Sequence, residues 1–296
     1  MELYQEKVTL INSFIEKELY STISNPKMEE ISRHALNGGK RLRSIFAYVI
    51  GRKIQEKRGY TINLAKSIVF IEMLHNISLI IDDLPCMDDD KFRRGKETIH
   101  YKYGVTSAQV VSSYLLGKSF QLLNTNIKEI KDLNIIDTTL FDNNVIEIYQ
   151  NITRNLGIMG ASSGQFIDTC PLNPFINKQE YMSQYSTKED LEKLIYLKTT
   201  TFYEIAFITS YLLSGGETQH LEKIKKAVKY FGLFFQLSDD FEDIEQDSQR
   251  NLDYNPNFVV KFGKEKAEQL FTESLVINMN VYTLNDRGSC YRKLDK

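Results

Sequence analysis

The sequence predicts an all-α fold, with long helices joined by short turns and packed into one bundle. Three observations predict it. Apolar residues recur mostly at spacings of three and four. Only five prolines and fifteen glycines punctuate 296 residues. Neither βαβ alternation nor a glycine-rich phosphate loop is present. A hydrophobic fraction of 42% with 26% charged residues is ordinary for a globular protein able to bury a sizeable core. The whole chain, 1–296, is expected to be one domain.

In chain order, the first clear helix stop is Asn37-Gly38-Gly39, where glycine can take the left-handed conformation. Lys40-Arg41-Leu42-Arg43 opens the next helix. Ala65, Ile68, Phe70 and Leu74 begin an apolar stripe, while Glu72, His75, Ser78 and Asp82 share a face of the same helix. Pro85 disfavours helical geometry at Leu84 and ends or bends that helix, which frees Asp88 to swing back toward Asp82. Residues 171–190 are polar and proline-bounded, a surface connection with Ser186 or Thr187 capping the helix that follows. That helix carries Lys198-Thr199 among Tyr and Phe residues. Ser214-Gly215-Gly216 is a second stop. Leu221, Ile224, Val228, Phe231, Phe235 and Phe241 then trace another apolar stripe, and residues 247–256 read as a loop. Neither loop resembles a domain linker, and the chain has no internal repeat or low-complexity tract.

Composition excludes several classes of function. A net charge of −2 gives no basis for binding nucleic acid or an anionic membrane surface, so any basic ligand patch must be local. Cys86, Cys170 and Cys290 are odd in number and form no CxxC pair. That fits a reducing compartment and excludes a disulfide framework or a thiolate zinc site. The first residues lack the features of a targeting peptide, and no apolar run reaches the ~18 residues of a transmembrane helix. A soluble cytoplasmic protein is expected.

Two acidic clusters carry the chemistry: Asp82-Asp83-Leu84-Pro85-Cys86-Met87-Asp88-Asp89-Asp90 and Asp239-Asp240-Phe241-Glu242-Asp243. Each interrupts an apolar helical pattern with more negative charge than a helix face needs. Asp239 and Asp243, at i and i+4, project from one face, with Gln236 and Gly232 continuing that stripe. Divalent cations relieve such repulsion, and magnesium takes one or two carboxylates, several waters and phosphate oxygens. Two acidic walls facing each other would therefore cage metal ions and a polyphosphate. Either cluster alone reads equally as a solvated acidic face. The basic runs Gly38-Gly39-Lys40-Arg41-Leu42-Arg43 and Arg93-Arg94-Gly95-Lys96 could grip phosphate oxygens, and Lys198-Thr199 could add a third anion contact. His75 is either a phosphate donor or a satisfied structural histidine. Phe234-Phe235 and Phe202-Tyr203 are most simply core, or else line an apolar cavity.

Together these residues resemble the trans-isoprenyl diphosphate synthase family. The stretch from His75 to Asp90, with Arg93-Arg94-Gly95-Lys96 and His100 after it, is similar to its first aspartate-rich motif. Gly38 to Arg43, Gly164-Gln165-Phe166-Ile167-Asp168, Lys198-Thr199 and Phe235-Gln236-Leu237-Ser238-Asp239-Asp240-Phe241-Glu242-Asp243 resemble its other landmarks in order, over residues 28–263 by eye. The resemblance implies an all-α homodimer with a central cavity. It implies that Asp82, Asp83, Asp88, Asp239, Asp240 and Asp243 hold a set of about three magnesium ions on an allylic diphosphate. Arg93, Lys198, Thr199 and Gln236 would contact that substrate, and Lys40, Arg43, His75 and Arg94 would hold isopentenyl diphosphate. Asp82, Asp83, Asp88, Lys198, Asp239 and Asp240 are thus the expected catalytic residues.

Residues just before the first motif help set product length in this family. Members that form the fifteen-carbon farnesyl product tend to carry an aromatic residue where Ile77 stands, beside Ser78. With Ile77 non-aromatic and Leu84-Pro85-Cys86-Met87-Asp88 following, the resemblance is greatest to geranylgeranyl diphosphate synthases, and a twenty-carbon product is expected. Ser44, Ile81 and Gly117-Lys118 depart from the family pattern. So do residues 244–257, which contain no lysine where many members have one that binds diphosphate. The rival readings are a catalytically weak subunit of a partner synthase, a terpene cyclase, and a non-enzymatic helical scaffold.

Overall fold

A computed structural model describes residues 2–169, 186–249 and 255–283. Cys170, Cys290 and most of the connection expected over residues 171–190 lie outside the described residues. Cys86 is an exposed free thiol. Backbone packing divides the chain into two compact units, Met1–Thr153 with Ile205–Gln219, and Arg154–Glu204 with His220–Lys296.

The first unit holds α1 (Glu2–Glu18), α2 (Pro26–Leu36), α3 (Leu42–Arg58), α4 (Ala65–Asp82), β1 (Phe92–Arg93), β2 (Lys96–Glu97), α5 (Ile99–Tyr103), α6 (Val105–Asp132) and most of α7 (Thr138–Leu156). Asn25 caps α2 by accepting from the Lys27 and Met28 N–H groups, with Pro26 in the first turn, where a missing N–H costs nothing. Gly59 closes α3 at φ 79. Helix α4 is apolar on almost every side, and Ile68, Val69, Phe70, Ile71, Met73 and Leu74 are all buried. Such a helix must be surrounded, and α4 packs against α1, α2, α3 and α6. Its first turn is held from α6, where Asn126 Oδ1 accepts from Ser67 N at 3.0 Å.

The second unit holds α8 (Ala161–Thr169), α9 (Lys188–Ile195), a π turn (Tyr196–Thr200), the start of α10 (Thr201–Leu213), α11 (Leu221–Glu242), α12 (Ile244–Asp247), α13 (Phe258–Phe262) and α14 (Lys264–Thr283). Thr187, rather than Ser186, caps α9, in a reciprocal capping box with Asp190. The core joins Ile167, Leu191, Leu194, Leu233, Leu237, Phe258 and Leu270. The expected stripe on α11 faces inward: Leu221 and Val228 are buried, and Ile224, Phe231, Phe235 and Phe241 are half-buried. Phe202 and Tyr203 are buried, as expected of core, whereas Phe234 and Phe235 are half-buried; Tyr203 lies 5.1 Å from Phe231 and 5.6 Å from Phe235 between ring centroids.

Two features differ from the expected pattern. Arg93 and Lys96 pair across a two-strand hairpin, with Arg94 and Gly95 at φ 53 and 73 as its turn. Two positive φ values in succession are what a tight hairpin requires. The helix after Thr187 is interrupted by the π turn, which lies over Lys198 and Thr199.

Candidate active site

In the first unit, α4 ends at Asp82, and the chain reverses around Pro85. Asp88 N–H donates to Asp82 O at 3.0 Å, and Met87 N–H to Leu84 O at 2.8 Å. The return of Asp88 to Asp82 thus follows the expectation from Pro85. The two leading aspartates then part. Asp82 is half-buried and Asp88 exposed, whereas Asp83 is only 6% exposed. Burial pushes the Asp83 carboxyl above its ordinary range, opposed by Arg93, whose Nε donates to Asp83 Oδ1 at 2.6 Å. The same guanidinium reaches Asp90 at 3.2 Å. Arg93 therefore ties the hairpin to the acidic turn.

A cationic cluster forms where α3 opens beside α4. Arg41, in the left-handed region at φ 54, turns its guanidinium inward to Glu72 at 2.8 Å, to Asn12 at 3.0 Å and to Leu36 O. Glu72 also accepts from Ser44 at 2.6 Å and Asn76 at 3.1 Å. Arg43 Nη1 lies 3.2 Å from His75 Nε2. Gly39 packs on Arg94: a β-carbon added there would stand 2.9 Å from the guanidinium carbon. Burial, reinforced by Arg43 and Arg94, pulls His75 well below its usual value, so the ring is neutral and its Nε2 can accept from Arg43. The Glu72 carboxylate is paired with Arg41, while Arg43 beside His75 and Arg94 beside Gly39 add positive charge nearby that suits an anion. Lys40 is exposed at the entrance to α3, its carbonyl accepting from Tyr4 at 2.7 Å.

The second unit repeats the division among aspartates. Asp239, in the last turn of α11, and Asp243, which caps its C-terminus, are both exposed and are joined by Asp243 N–H to Asp239 O at 3.0 Å. Asp240 is 4% exposed and points inward. Its Oδ1 accepts from Gln236 at 3.0 Å and its Oδ2 from Phe258 N–H at 2.8 Å. Burial pushes it up to about 6 despite those donors. Asn257 adds a clasp, donating to Asp240 O and to Asp247 Oδ2, each at 2.9 Å. Asn255 donates to Asp247 O at 2.8 Å.

Lys198 and Thr199 sit on the π turn, a rare geometry that recurs at functional sites. Lys198 Nζ pairs with Asp168 of α8, and Thr199 Oγ1 donates to Gln236 Oε1 at 2.7 Å. Gln236 thereby links Thr199 to Asp240 in one line of hydrogen bonds. Ile77 is 7% exposed on α4, and half-buried Ser78 donates to His75 O at 2.8 Å. Lys118 reaches Gln121 at 3.1 Å on α6.

Among the described residues no three acidic, histidine or cysteine side chains form a ready-made metal cluster. Magnesium does not need one, because it completes an oxygen octahedron with water and phosphate. The more accessible Asp82 and Asp88, and the exposed Asp239 and Asp243, are hard oxygen donors of that kind. Asp83 and Asp240 are more deeply buried, held by Arg93 and by Gln236 with the Phe258 N–H. Sequence reasoning missed the Arg41–Glu72 pair, the Asp168 partner of Lys198 and the Asn257 clasp. An unusual buried-type carboxylate, Glu72, on an otherwise apolar helix was the one signal available.

Comparison with known proteins gives the arrangement its family. The family model described as polyprenyl synthetase matches residues 25–252. A trans-prenyltransferase of African swine fever virus is 29% identical over 92% of this chain and 74% of its own length. The farnesyl diphosphate synthase of Bacillus subtilis is 27% identical over 84% of this chain and 73% of its own. The chain is 29% identical to geranylgeranyl pyrophosphate synthase 3 of Arabidopsis thaliana, spanning 66% of that protein. A geranyltransferase of Helicobacter pylori, solved with magnesium and isoprenyl diphosphate, superposes with a TM-score of 0.73 and 26% identity over 97% of this chain and 91% of that one. The predominantly helical fold, the two acidic motifs and a family match over most of its length agree: the chain belongs to the polyprenyl synthetase family and, by that membership, is a prenyltransferase.

Proposed function

We propose that the chain is a geranylgeranyl diphosphate synthase. It condenses isopentenyl diphosphate with dimethylallyl, geranyl and farnesyl diphosphates. The observation that carries this is the cluster of Arg41, Arg43 and Arg94 around a neutral His75. An enzyme that ionises and cyclises a single diphosphate has no use for a second cationic pocket. Lys40, Arg43, His75 and Arg94 hold isopentenyl diphosphate there, and Arg93, Lys198, Thr199 and Gln236 contact the allylic diphosphate.

Asp82, Asp88, Asp239 and Asp243 hold magnesium through their more accessible carboxylates. Asp83 and Asp240 join them on release of Arg93 and Phe258 N–H. Magnesium, when bound, supplies positive charge to the departing diphosphate. Arg93 and Lys198 are cations of the kind that stabilise charge developing on a diphosphate as its bond breaks. The isopentenyl double bond attacks the resulting allylic cation, and a proton passes to the released diphosphate. No side-chain nucleophile takes part.

The small side chains Ile77 and Ser78 favour the longer, twenty-carbon product. Exposed Val110 and Leu116 on α6 and Ile146 on α7 favour a homodimer, since a second copy would cover them. The free thiol of Cys86 is in keeping with a reducing, cytoplasmic setting. The test is incubation of the purified chain with isopentenyl diphosphate and each allylic diphosphate, with and without magnesium. Magnesium-dependent formation of geranylgeranyl diphosphate is expected. No condensation under any condition refutes the proposal, whereas activity only with an added partner subunit identifies the weak-subunit alternative.

A further inference from the structure

Lys198 and Thr199 are held from two sides by the same device. On α8, Gly164 is followed one turn later by Asp168; on α11, Gly232 is followed one turn later by Gln236. Asp168 takes the Lys198 ammonium and Gln236 takes the Thr199 hydroxyl. The two glycines sit against the backbone between those contacts. A β-carbon at Gly164 would stand 2.7 Å from Lys198 N and 2.8 Å from Leu197 C. One at Gly232 would stand 2.7 Å from Thr200 Cβ and 2.9 Å from Thr200 Cα. These distances are shorter than real β-carbons tolerate, and against backbone they cannot be relieved by a rotamer change.

Neither glycine has a positive φ, so conformational freedom does not explain them. Both lie inside helices, where glycine lowers helix propensity. What they provide is room. The π turn inserts an extra residue and swells the helix locally, with Thr201 N–H bonding to Tyr196 O, five residues back. Thr201 Oγ1 donates to Leu197 O at 2.8 Å, satisfying a carbonyl inside the turn. Thr200 Oγ1 is buried against Gly232 with no hydrogen-bond partner among the described residues.

We propose that Gly164 and Gly232 are positioning residues: they form a side-chain-free seat that admits the π turn and so fixes Lys198 and Thr199. The substrate consequence, orientation toward the allylic diphosphate, rests on the function proposed above. The seat itself does not.

The test uses the full chain with Gly164→Ala, Gly232→Ala and the double variant Gly232→Ala/Thr200→Gly. Hydrogen exchange of the amides at residues 196–201 is measured alongside KM for each substrate. Both single variants are expected to speed exchange at those amides and to raise KM for the allylic diphosphate by about tenfold, while KM for isopentenyl diphosphate stays within about twofold. Removing the Thr200 side chain opposite the methyl group introduced at position 232 should restore most of both losses, or restore folding where Gly232→Ala alone fails to fold. Unchanged exchange in the folded single variants, or a double variant as impaired as Gly232→Ala, overturns the seat. Equal rises in both KM values reduce the glycines to general packing and also overturn the positioning role. If the wild type performs no condensation, the proposed function falls, while exchange and the double-variant comparison still decide the seat.

Discussion

Arg41 and Glu72 form an ion pair at 2.8 Å with side chains only 4% and 2% exposed. Burying two charges is costly, and the remaining oxygen and nitrogen valences here are met by Ser44, Asn76, Asn12 and Leu36 O. The pair is thus a fixed base on which the neighbouring cations stand. Glu72→Ala should destabilise the chain by about 3–5 kcal/mol, because it leaves a buried guanidinium without its counter-charge. A volume-matched replacement of both, Arg41→Met with Glu72→Leu, should recover much of that loss. Denaturant unfolding of the three variants checks this. A Glu72→Ala variant as stable as wild type would falsify the role given to the pair.

Neighbouring aspartates should separate by the kind of damage they cause. Asp239→Ala removes an exposed carboxylate, so its stability loss should be smaller than that of Asp240→Ala while magnesium-dependent turnover is lost. Asp240→Ala strips the acceptor from the buried Phe258 N–H and from Gln236, which should cost about 1–3 kcal/mol. Thermal melts and turnover measured on the same preparations decide the matter. Equal stability losses in the two variants would overturn the division into exposed and buried aspartates.

That division marks the boundary of what the sequence discloses. The i, i+4 spacing of Asp239 and Asp243 is a property of the helix alone, so it could be read directly. So could the reversal at Pro85 and the cap at Thr187, which are set by local backbone sterics and hydrogen bonding. Which aspartate of each pair turns inward depends instead on what meets it from elsewhere: Arg93 from the hairpin, Phe258 and Asn257 from beyond a loop. The π turn is hidden for a similar reason. The run Tyr196-Leu197-Lys198-Thr199-Thr200 is ordinary helical sequence, and its distinguishing partners are glycines on two other helices. The hairpin at Arg94-Gly95 is equally hidden, because only the pairing of Arg93 with Lys96 across it distinguishes the segment from a basic run.

Alkaline pH should destabilise the chain through its buried phenols. Burial pushes Tyr196 up to about 12, aided by the Glu204 carboxylate at 2.9 Å. Burial also raises Tyr20 to about 12, against the opposing influence of Arg41 and Arg33. An unfolded tyrosine titrates near about 10, so the folded state holds these protons more tightly. The stability they contribute is therefore complete below about pH 10 and declines as pH rises toward about 12. Tyr196→Phe should flatten that decline while lowering stability at neutral pH by about 1 kcal/mol through loss of the bond to Glu204. Urea midpoints at neutral and alkaline pH measure both effects. A wild-type midpoint unchanged across that range would contradict the shifts.

Product length can be tested at two adjacent positions with different surroundings. Ile77 is buried within α4, so Ile77→Phe must overpack a filled core and should cost about 1–3 kcal/mol. Ser78 is half-buried and shares the His75–Asp82 face, so Ser78→Phe adds its ring with less internal strain. If these residues form the floor that limits chain growth, both substitutions shorten the product, with the smaller stability loss at position 78. Chromatographic analysis of products from farnesyl and geranyl primers gives the answer, with thermal melts as the control for folding. Shortening by Ser78→Phe alone would place the floor on the partly exposed face of α4. An unchanged profile in both folded variants would remove α4 from the control of chain length, and with it the basis for assigning a twenty-carbon product.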